Sequence, residues 1–122
     1  MDKPSTFKSV FERLRAILVP FAPYLTVKQD TDEIYYLDGP YSQEFKRELF
    51  FGSAHIKKNY TSFYLMPVYM YPELLETISL ALKKRMQGKS CFNFKSVDEA
   101  LFDELSELTR RSFERFRKET SL

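Results

Sequence analysis

The sequence predicts an α+β domain whose helices pack mostly on one face of an antiparallel sheet. Three observations support this class. Apolar residues near both ends of the chain recur at helical spacing. Two segments between them alternate as β-hairpins do, and short turns between strands favour antiparallel pairing. The chain has 122 residues, of which 43% are hydrophobic and 30% charged, so residues 1–122 can bury a core as one domain.

The first helix is predicted from about Thr6 to Val19. Its apolar residues recur every three or four positions and therefore share one helical face. They are Phe7, Val10, Phe11, Leu14, Ile17, Leu18 and Phe21. Pro20 and Pro23 end or kink this helix, because proline lacks an N–H group and clashes with the preceding turn.

The first β-hairpin is predicted over residues 25–37, with residues 31–32 at its tip. In this register Val27 pairs with Tyr36, and both lie on an apolar face. The sequence Asp38-Gly39-Pro40 then predicts a turn, followed by a polar loop.

A second hairpin is predicted over residues 48–66, with Lys58 and Asn59 at its tip. One face of this hairpin is apolar and is expected to pack on helices; it carries Phe50, Gly52, Ala54, Ile56, Phe63 and Leu65. The other face is mixed and carries Phe51, Ser53, His55, Ser62, Tyr64 and Met66. Pro67 is expected to end the pairing, because it cannot donate a hydrogen bond to the ladder.

A second helix is predicted from Pro72 to about Met86, since proline suits a first helical turn. Ser79 is a second candidate N-cap within this stretch. Gly88 fits the left-handed residue that often follows a helix.

The rest of the chain predicts a short strand at residues 91–94 and a last helix that ends near Lys118. Ser96 and Glu99 form a capping box at the start of this helix. The predicted order is therefore helix, hairpin, hairpin, helix, short strand, helix.

The composition favours a binding domain over an enzyme. The chain has one His, one Cys, no Trp and three Gly, and it contains no GxSxG, P-loop, GxGxxG or HExxH motif. Cys91 and His55 lie on different predicted elements, so no nucleophile–base pair is indicated. We therefore predict no catalytic residue and no cofactor.

The chain is expected to be cytoplasmic and not bound to a membrane. A single cysteine cannot form an internal disulfide, which fits a reducing compartment. The charged N-terminal segment lacks the apolar core of a signal peptide, and no apolar run approaches the roughly 18 residues of a membrane span. The formal net charge of +2 does not indicate nucleic acid as a partner.

Aromatic content is the most unusual feature of the sequence. The chain has 12 Phe and 8 Tyr, or 16% aromatic residues, and they cluster from Tyr35 to Tyr71. This exceeds what one small core needs, and exposed apolar patches usually mark interaction sites. The mixed hairpin face is therefore predicted to bind a small ligand or a protein partner, although it could instead form a homodimer. The residues expected in this groove are Tyr36 or Tyr35, His55, Ser62 and Tyr64.

Two charged clusters suggest alternative functions. Acidic residues at the first hairpin tip could bind a hard cation, although such residues are also common in turns. Basic residues around the end of the second helix could bind phosphate, although they also complement the helix dipole and are a weak signal for nucleic acid. The cation candidates are Asp30, Asp32 and Glu33, and the anion candidates are Lys84, Arg85 and Lys89.

Two stretches of the sequence resemble the YdhG-like family of small bacterial domains of unknown function. They are FYLMPVYMYPELLETIS at residues 63–79 and LKKRMQGKSCFNFKSVDEALFDELSELT at residues 82–109. The resemblance extends over nearly the whole chain and includes the sequences Gly88-Lys89-Ser90 and Asp98-Glu99. It implies an α+β domain with an antiparallel sheet. Some family members have been discussed as frataxin-like iron chaperones, so the resemblance also implies an iron carrier as an alternative function.

Overall fold

A five-stranded antiparallel sheet lies at the centre of the computed structural model, which describes residues 5–120. The strands are β1 (Thr26–Asp30), β2 (Ile34–Ser42), β3 (Arg47–Ile56), β4 (Thr61–Leu65) and β5 (Cys91–Phe94), and they follow one another in space as in sequence. The α-helices are α1 (Ser5–Leu18), α2 (Met66–Met70), α3 (Leu80–Lys83) and α4 (Glu99–Thr120). Two 3-10 helices span Val19–Tyr24 and Pro72–Leu75. The predicted fold class is confirmed.

The long helices α1 and α4 pack on the same face of the sheet, which we call the helix face. Phe51 of β3 contacts Phe113 and Phe116 of α4, with ring centroids 5.8 and 5.3 Å apart. Phe94 of β5 packs edge-to-face on Phe102 of α4 at 5.0 Å. We call the opposite side of the sheet the outer face. Within residues 5–120, no helix is long and apolar enough to cross a membrane.

The register predicted for the second hairpin is confirmed. Ile56 lies opposite Thr61, and the N–H group of Lys57 donates to the carbonyl of Tyr60 at 2.8 Å. These contacts place Lys58 and Asn59 at the tip. The alternation predicted for β4 follows, because Phe63 and Leu65 are fully buried on the helix face.

A β-bulge reverses the predicted positions of Phe50 and Phe51. Gly52 lies opposite Leu37 of β2. The next residue of β2, Asp38, lies opposite Phe50, so Phe51 is an extra residue in the ladder. One extra residue reverses the alternation of side chains beyond it. Phe51 is therefore buried on the helix face, and Phe50 turns to the outer face.

The predicted register of the first hairpin is wrong by one residue at Val27 and by two residues nearer the turn. Val27 lies opposite Leu37, and a register shift between Val27 and Gln29 then places Gln29 opposite Tyr36. Tyr35 and Leu37 point to the helix face and are buried, whereas Tyr36 is half-buried on the outer face. In this register Tyr35 packs against α1, where the Arg15 guanidinium lies 4.5 Å from its ring centroid.

The turn predicted at Asp38-Gly39-Pro40 is also absent. β2 continues through these residues to Ser42, with register shifts on either side of the stretch. Gly39 is needed here for close packing, because Phe116 of α4 lies directly against its backbone. Pro40 is tolerated because it lies in the irregular part of the strand.

The second predicted helix consists of separate short segments. The 3-10 helix Pro72–Leu75 and α3 lie within its predicted span, and α2 lies just before it. The Ser79 cap is confirmed, because the Ser79 hydroxyl accepts a hydrogen bond from the N–H group of Leu82 at 3.1 Å. The Glu104 carboxylate of α4 also accepts from the N–H and hydroxyl groups of Ser79. These contacts hold α3 against α4 and separate it from the preceding turn.

Two other helix-end predictions differ from the structure. Gly88 has the expected positive φ of 81°, but it lies in the loop before β5, five residues beyond the end of α3. The last helix begins at Glu99, and its first turn is capped by Asp98, whose carboxylate accepts from the N–H group of Leu101 at 3.2 Å. Asp98 therefore takes the capping role predicted for Ser96.

A buried hydrogen bond joins the sheet to α1 and gives a first prediction. The hydroxyl of Thr61, which is fully buried, donates to the carbonyl of Phe7 at 3.1 Å. Thr61→Val keeps the shape of the side chain but removes this bond, and we expect it to lower the free energy of unfolding by about 1 kcal/mol. Urea denaturation followed by circular dichroism measures the change.

The matched control for this prediction is Thr109→Val. Thr109 is also fully buried, but its hydroxyl donates within α4 to the carbonyl of Leu105 at 2.8 Å. The Leu105 carbonyl already accepts within the helix, so this additional local bond is expected to add little to the free energy of unfolding. Equal losses for both variants would contradict a role of Thr61 in holding α1 to the sheet.

Candidate functional site

The outer face brings together the four residues predicted to form a groove. They lie in two adjacent rows that cross the strands. One row is Tyr36, Ser53, Tyr64 and Cys91, and the next is Ile34, His55, Ser62 and Asn93. Tyr36, His55, Ser62 and Tyr64 therefore share one face, and of the two tyrosines predicted as alternatives Tyr35 is buried on the helix face.

Hydrogen bonds connect the polar groups at the β4–β5 end of this face. Ser62, which is buried, donates its hydroxyl proton to Asn93 Oδ1 at 2.7 Å, and Asn93 Nδ2 donates to Gln87 Oε1 at 2.7 Å. Burial raises the pKa of the Tyr64 hydroxyl and the pKa of the Cys91 thiol. Both groups are therefore neutral at pH 7. This end of the outer face is an internally bonded polar network.

A cleft of about 490 Å³ opens at the other end of the outer face, beside Tyr36. Its carbon-rich walls come from three places: strands β2 and β3, the turn between them, and helix α2. The aromatic and methionine residues that line it are Tyr36, Phe45, Phe50, Met66, Tyr69 and Met70. Of the predicted groove residues, Tyr36 belongs to this cleft.

Two of the aromatic residues in the cleft already stack on each other. The ring centroids of Tyr36 and Phe50 are 4.7 Å apart, with 32° between the ring planes. Phe45 and Tyr69 are 51% and 54% exposed, so much of their apolar surface faces water. The cleft therefore presents ring faces that a ligand could cover.

A β-bulge and a short helix bring these side chains to the cleft. The bulge at Phe51 turns Phe50 to the outer face, where it meets Tyr36. Helix α2 begins directly after β4, with Pro67 in its first turn, where the missing N–H group does no harm. Met66, Tyr69 and Met70 then stand at i, i+3 and i+4, which places them on one side of the helix. This spacing in the sequence MPVYMYP was the available signal for Tyr69 and Met70, which were not predicted as site residues, whereas Met66 was predicted on the mixed face.

Charged residues line one side of the cleft. Asp38 is half-buried, and its pKa is raised by burial first and then by the nearby Glu48 carboxylate. The Lys28 ammonium opposes this shift, but it donates to Glu48 Oε1 at 2.8 Å. Arg47 also lines the cleft and is exposed. Two carboxylates, Asp38 and Glu48, thus share the Lys28 ammonium.

The three residues predicted as cation ligands lie at the β1–β2 connection. Asp30 is engaged by the Arg15 guanidinium, whose Nη2 is 3.1 Å from both carboxylate oxygens. Asp32 and Glu33 are exposed in the turn, where the Thr31 hydroxyl accepts from the N–H group of Glu33 at 3.2 Å. Within residues 5–120, no group of three or more His, Cys, Asp or Glu side chains is arranged to hold a metal ion.

The three residues predicted to bind an anion lie on the chain between α3 and β5. Lys84 and Arg85 are exposed directly after α3. Lys89 lies in the following loop, and its ammonium is 5.9 Å from the ring centroid of Tyr69. Lys89 is therefore a neighbour of the cleft through Tyr69.

Comparison of the chain with protein-family models, with curated proteins and with solved structures finds no match. The resemblance to the YdhG-like family therefore stays a prediction. The chemistry of the outer face and its cleft is the basis on which function can be inferred.

Proposed function

We propose that this chain is a non-enzymatic binding module that takes a small ligand in the cleft on the outer face. The observation that carries this proposal is the cleft itself, with a volume of about 490 Å³ and walls of aromatic and methionine side chains. Small-molecule sites commonly have volumes of roughly 300–1,000 Å³ and predominantly apolar walls. Methionine adapts its shape to different ligands, which suits Met66 and Met70 to this role.

Exposed aromatic surface supplies the driving force for binding. Phe45 and Tyr69 leave about half of their surface in water. A ligand placed between them and the Tyr36–Phe50 pair removes this apolar surface from water. A planar or aliphatic ligand body is therefore favoured.

The remaining predicted groove residues have a supporting role in this proposal. Ser62 is buried and bonded to Asn93, and Tyr64 is held in the same network with Cys91. The Ser62–Asn93 bond joins β4 to β5, and β3, which carries His55 and Ser53, lies between this network and the strand of Tyr36. The proposal therefore moves the ligand from the middle of the outer face to its Tyr36 end.

Methionine methyl groups provide a direct test of binding in this cleft. The chain has four methionines, of which Met66 and Met70 line the cleft. Met86 packs on the core beside Phe92, away from the cleft, and serves as an internal reference. In NMR spectra of protein with ¹³C-labelled methionine methyls, we expect added 2-phenylethanol to shift the Met66 and Met70 signals saturably and to leave Met86 unchanged.

A matched pair of variants distinguishes ligand binding in the cleft from non-specific binding elsewhere on the protein. Tyr36→Leu removes a ring from the cleft wall and is expected to weaken 2-phenylethanol binding about three- to tenfold, the value of one aromatic contact. Tyr60→Leu removes a ring from the β3–β4 turn and should leave binding unchanged. Absence of any saturable shift at Met66 and Met70 would refute the proposal.

A homodimer formed through the outer face is the competing occupant of the cleft. Light scattering on the NMR sample would then give twice the chain mass, and the Met66 and Met70 signals would shift on dilution without ligand.

Membership of the YdhG-like family and a cytoplasmic location belong to the same proposal. The location is supported by Cys91, which is a free thiol in the structure.

A further inference from the structure

We propose that the cleft selects small molecules that carry an alkylammonium group on an apolar or aromatic body. This inference rests on the proposed function of the cleft and adds the chemical class of its ligand. Three features of the cleft support it: an undercompensated carboxylate, ring faces beside that carboxylate, and a cation of the protein itself at the rim.

The carboxylate is Asp38. It lies directly opposite Phe50 across the β2–β3 ladder, and Tyr36 stands two residues earlier on the same side of β2. Asp38 is half-buried, and Lys28, whose charge lowers the pKa of Asp38 against the effect of burial, is hydrogen-bonded to Glu48 at 2.8 Å. A ligand ammonium in the cleft would add a second positive charge to this set of two carboxylates and one ammonium. The attraction between the ligand ammonium and the carboxylates becomes stronger as water is excluded from the cleft.

Arg47 does not fill this role. It is the first residue of β3, lies opposite Ser42 and is exposed. Burial and the Asp38 charge raise the pKa of the Tyr36 hydroxyl, and the Arg47 charge partly opposes this shift. The positive charge that acts on the pKa of Asp38 is that of Lys28. The Ser42 partner of Arg47 lies four residues beyond Asp38 along β2, so Arg47 lies at the rim of the cleft.

Aromatic faces beside a carboxylate favour a cation over a neutral group. The negative face of an aromatic ring attracts ammonium groups within about 6 Å of its centroid. Elsewhere in this protein the same attraction is satisfied internally, since Arg15 lies 4.5 Å from the centroid of Tyr35 and Arg115 lies 4.2 Å from that of Tyr71. At the cleft, Tyr36 stacks on Phe50 instead.

The protein's own Lys89 shows that a cation is accepted at the rim. Its ammonium lies 5.9 Å from the ring centroid of Tyr69, at the outer limit of a cation–π contact. A ligand ammonium that enters the cleft can approach the rings more closely and is held by Asp38 as well. An anionic ligand would instead meet two carboxylates, Asp38 and Glu48, and one guanidinium at the rim, that of Arg47.

A charge series with one aromatic body tests this inference. The probes are 2-phenylethylammonium, 2-phenylethanol and phenylacetate, each titrated against the Met66 and Met70 methyl signals at pH 7 and low salt. We expect the ammonium to bind at least tenfold more tightly than the alcohol and phenylacetate to bind most weakly. Asp38→Asn should remove the advantage of the ammonium while preserving binding of the alcohol.

The control variant is Asp103→Asn, which removes the same charge from an exposed position on α4. It should leave the order of the three affinities unchanged. Equal affinities of the ammonium and the alcohol for the wild-type protein overturn the inference but leave the cleft as a binding site. An Asp38→Asn protein that still binds the ammonium more tightly than the alcohol has the same consequence. Absence of shifts with all three probes overturns both proposals, and the wild-type series decides the matter if Asp38→Asn does not fold.

Discussion

Replacement of Phe51 by alanine is expected to lower the free energy of unfolding by about 3–5 kcal/mol, the usual cost of removing a buried aromatic ring. Phe51 is fully buried and its ring contacts Phe113 and Phe116 on the helix face. The same replacement at Phe50 is expected to cost only about 1 kcal/mol, mainly the stacking contact with Tyr36. Urea denaturation monitored by circular dichroism measures both values, since the chain has no Trp for fluorescence.

The two variants differ by one position in sequence, so the comparison tests the β-bulge directly. Without the bulge, Phe50 would be the buried residue and the order of the two losses would be reversed. Phe51→Leu, which keeps most of the apolar volume, should recover much of the loss seen with Phe51→Ala. A larger loss for Phe50→Ala than for Phe51→Ala would contradict the bulge and would also remove Phe50 from the wall of the cleft.

The second hairpin shows which parts of the fold can be predicted from the sequence. Lys58 and Asn59 are flanked by strands that alternate strongly, so one register satisfies both the turn and the burial of Phe63 and Leu65. At Phe50 and Phe51 two large apolar residues are adjacent. Alternation cannot decide which of them is buried, and the contact of Phe51 with α4 decides it in the structure.

The predicted register of the first hairpin was wrong for a related reason. The strand β2 contains Tyr35, Tyr36 and Leu37 in succession, so a register shifted by one residue still places an apolar residue on each face. What favours the observed register is the contact of Tyr35 with α1, where the Arg15 guanidinium lies over its ring. This contact joins residues that are far apart in sequence and leaves no local signal.

The candidate site was predictable in part. Alternation placed His55, Ser62 and Tyr64 on one mixed face but left Tyr35 and Tyr36 as alternatives beside them, and the structure places Tyr36 there. Tyr69 and Met70 of α2 were not predicted as site residues, because Pro67 suggested that strand pairing ends there. In the structure Pro67 lies in the first turn of a short helix. The depth of the cleft also depends on the bulge, which only long-range packing determines.

Gly39→Ala is expected to lower the free energy of unfolding by about 1–3 kcal/mol, the usual cost of inserting a methyl group into a packed core. A Cβ atom at Gly39 would lie 2.5 and 2.6 Å from two ring carbons of Phe116, and 3.1 Å from the backbone oxygen of Leu49. The Phe116 ring cannot easily move away, because it is fully buried and packs against Phe51 at 5.3 Å. Chemical denaturation of the variant measures the loss.

A double-mutant cycle with Phe116→Leu identifies the cause of this loss. The smaller Leu side chain makes room for the new methyl group, so the double variant should lose less stability than the sum of the two single losses. Gly88→Ala provides the contrast. It introduces a methyl group where no atom of residues 5–120 lies within 4 Å but φ is +81°, so its cost of about 1 kcal/mol comes from the backbone. This cost should add independently to that of Phe116→Leu, whereas strict additivity for Gly39→Ala would contradict the close packing of α4 on β2.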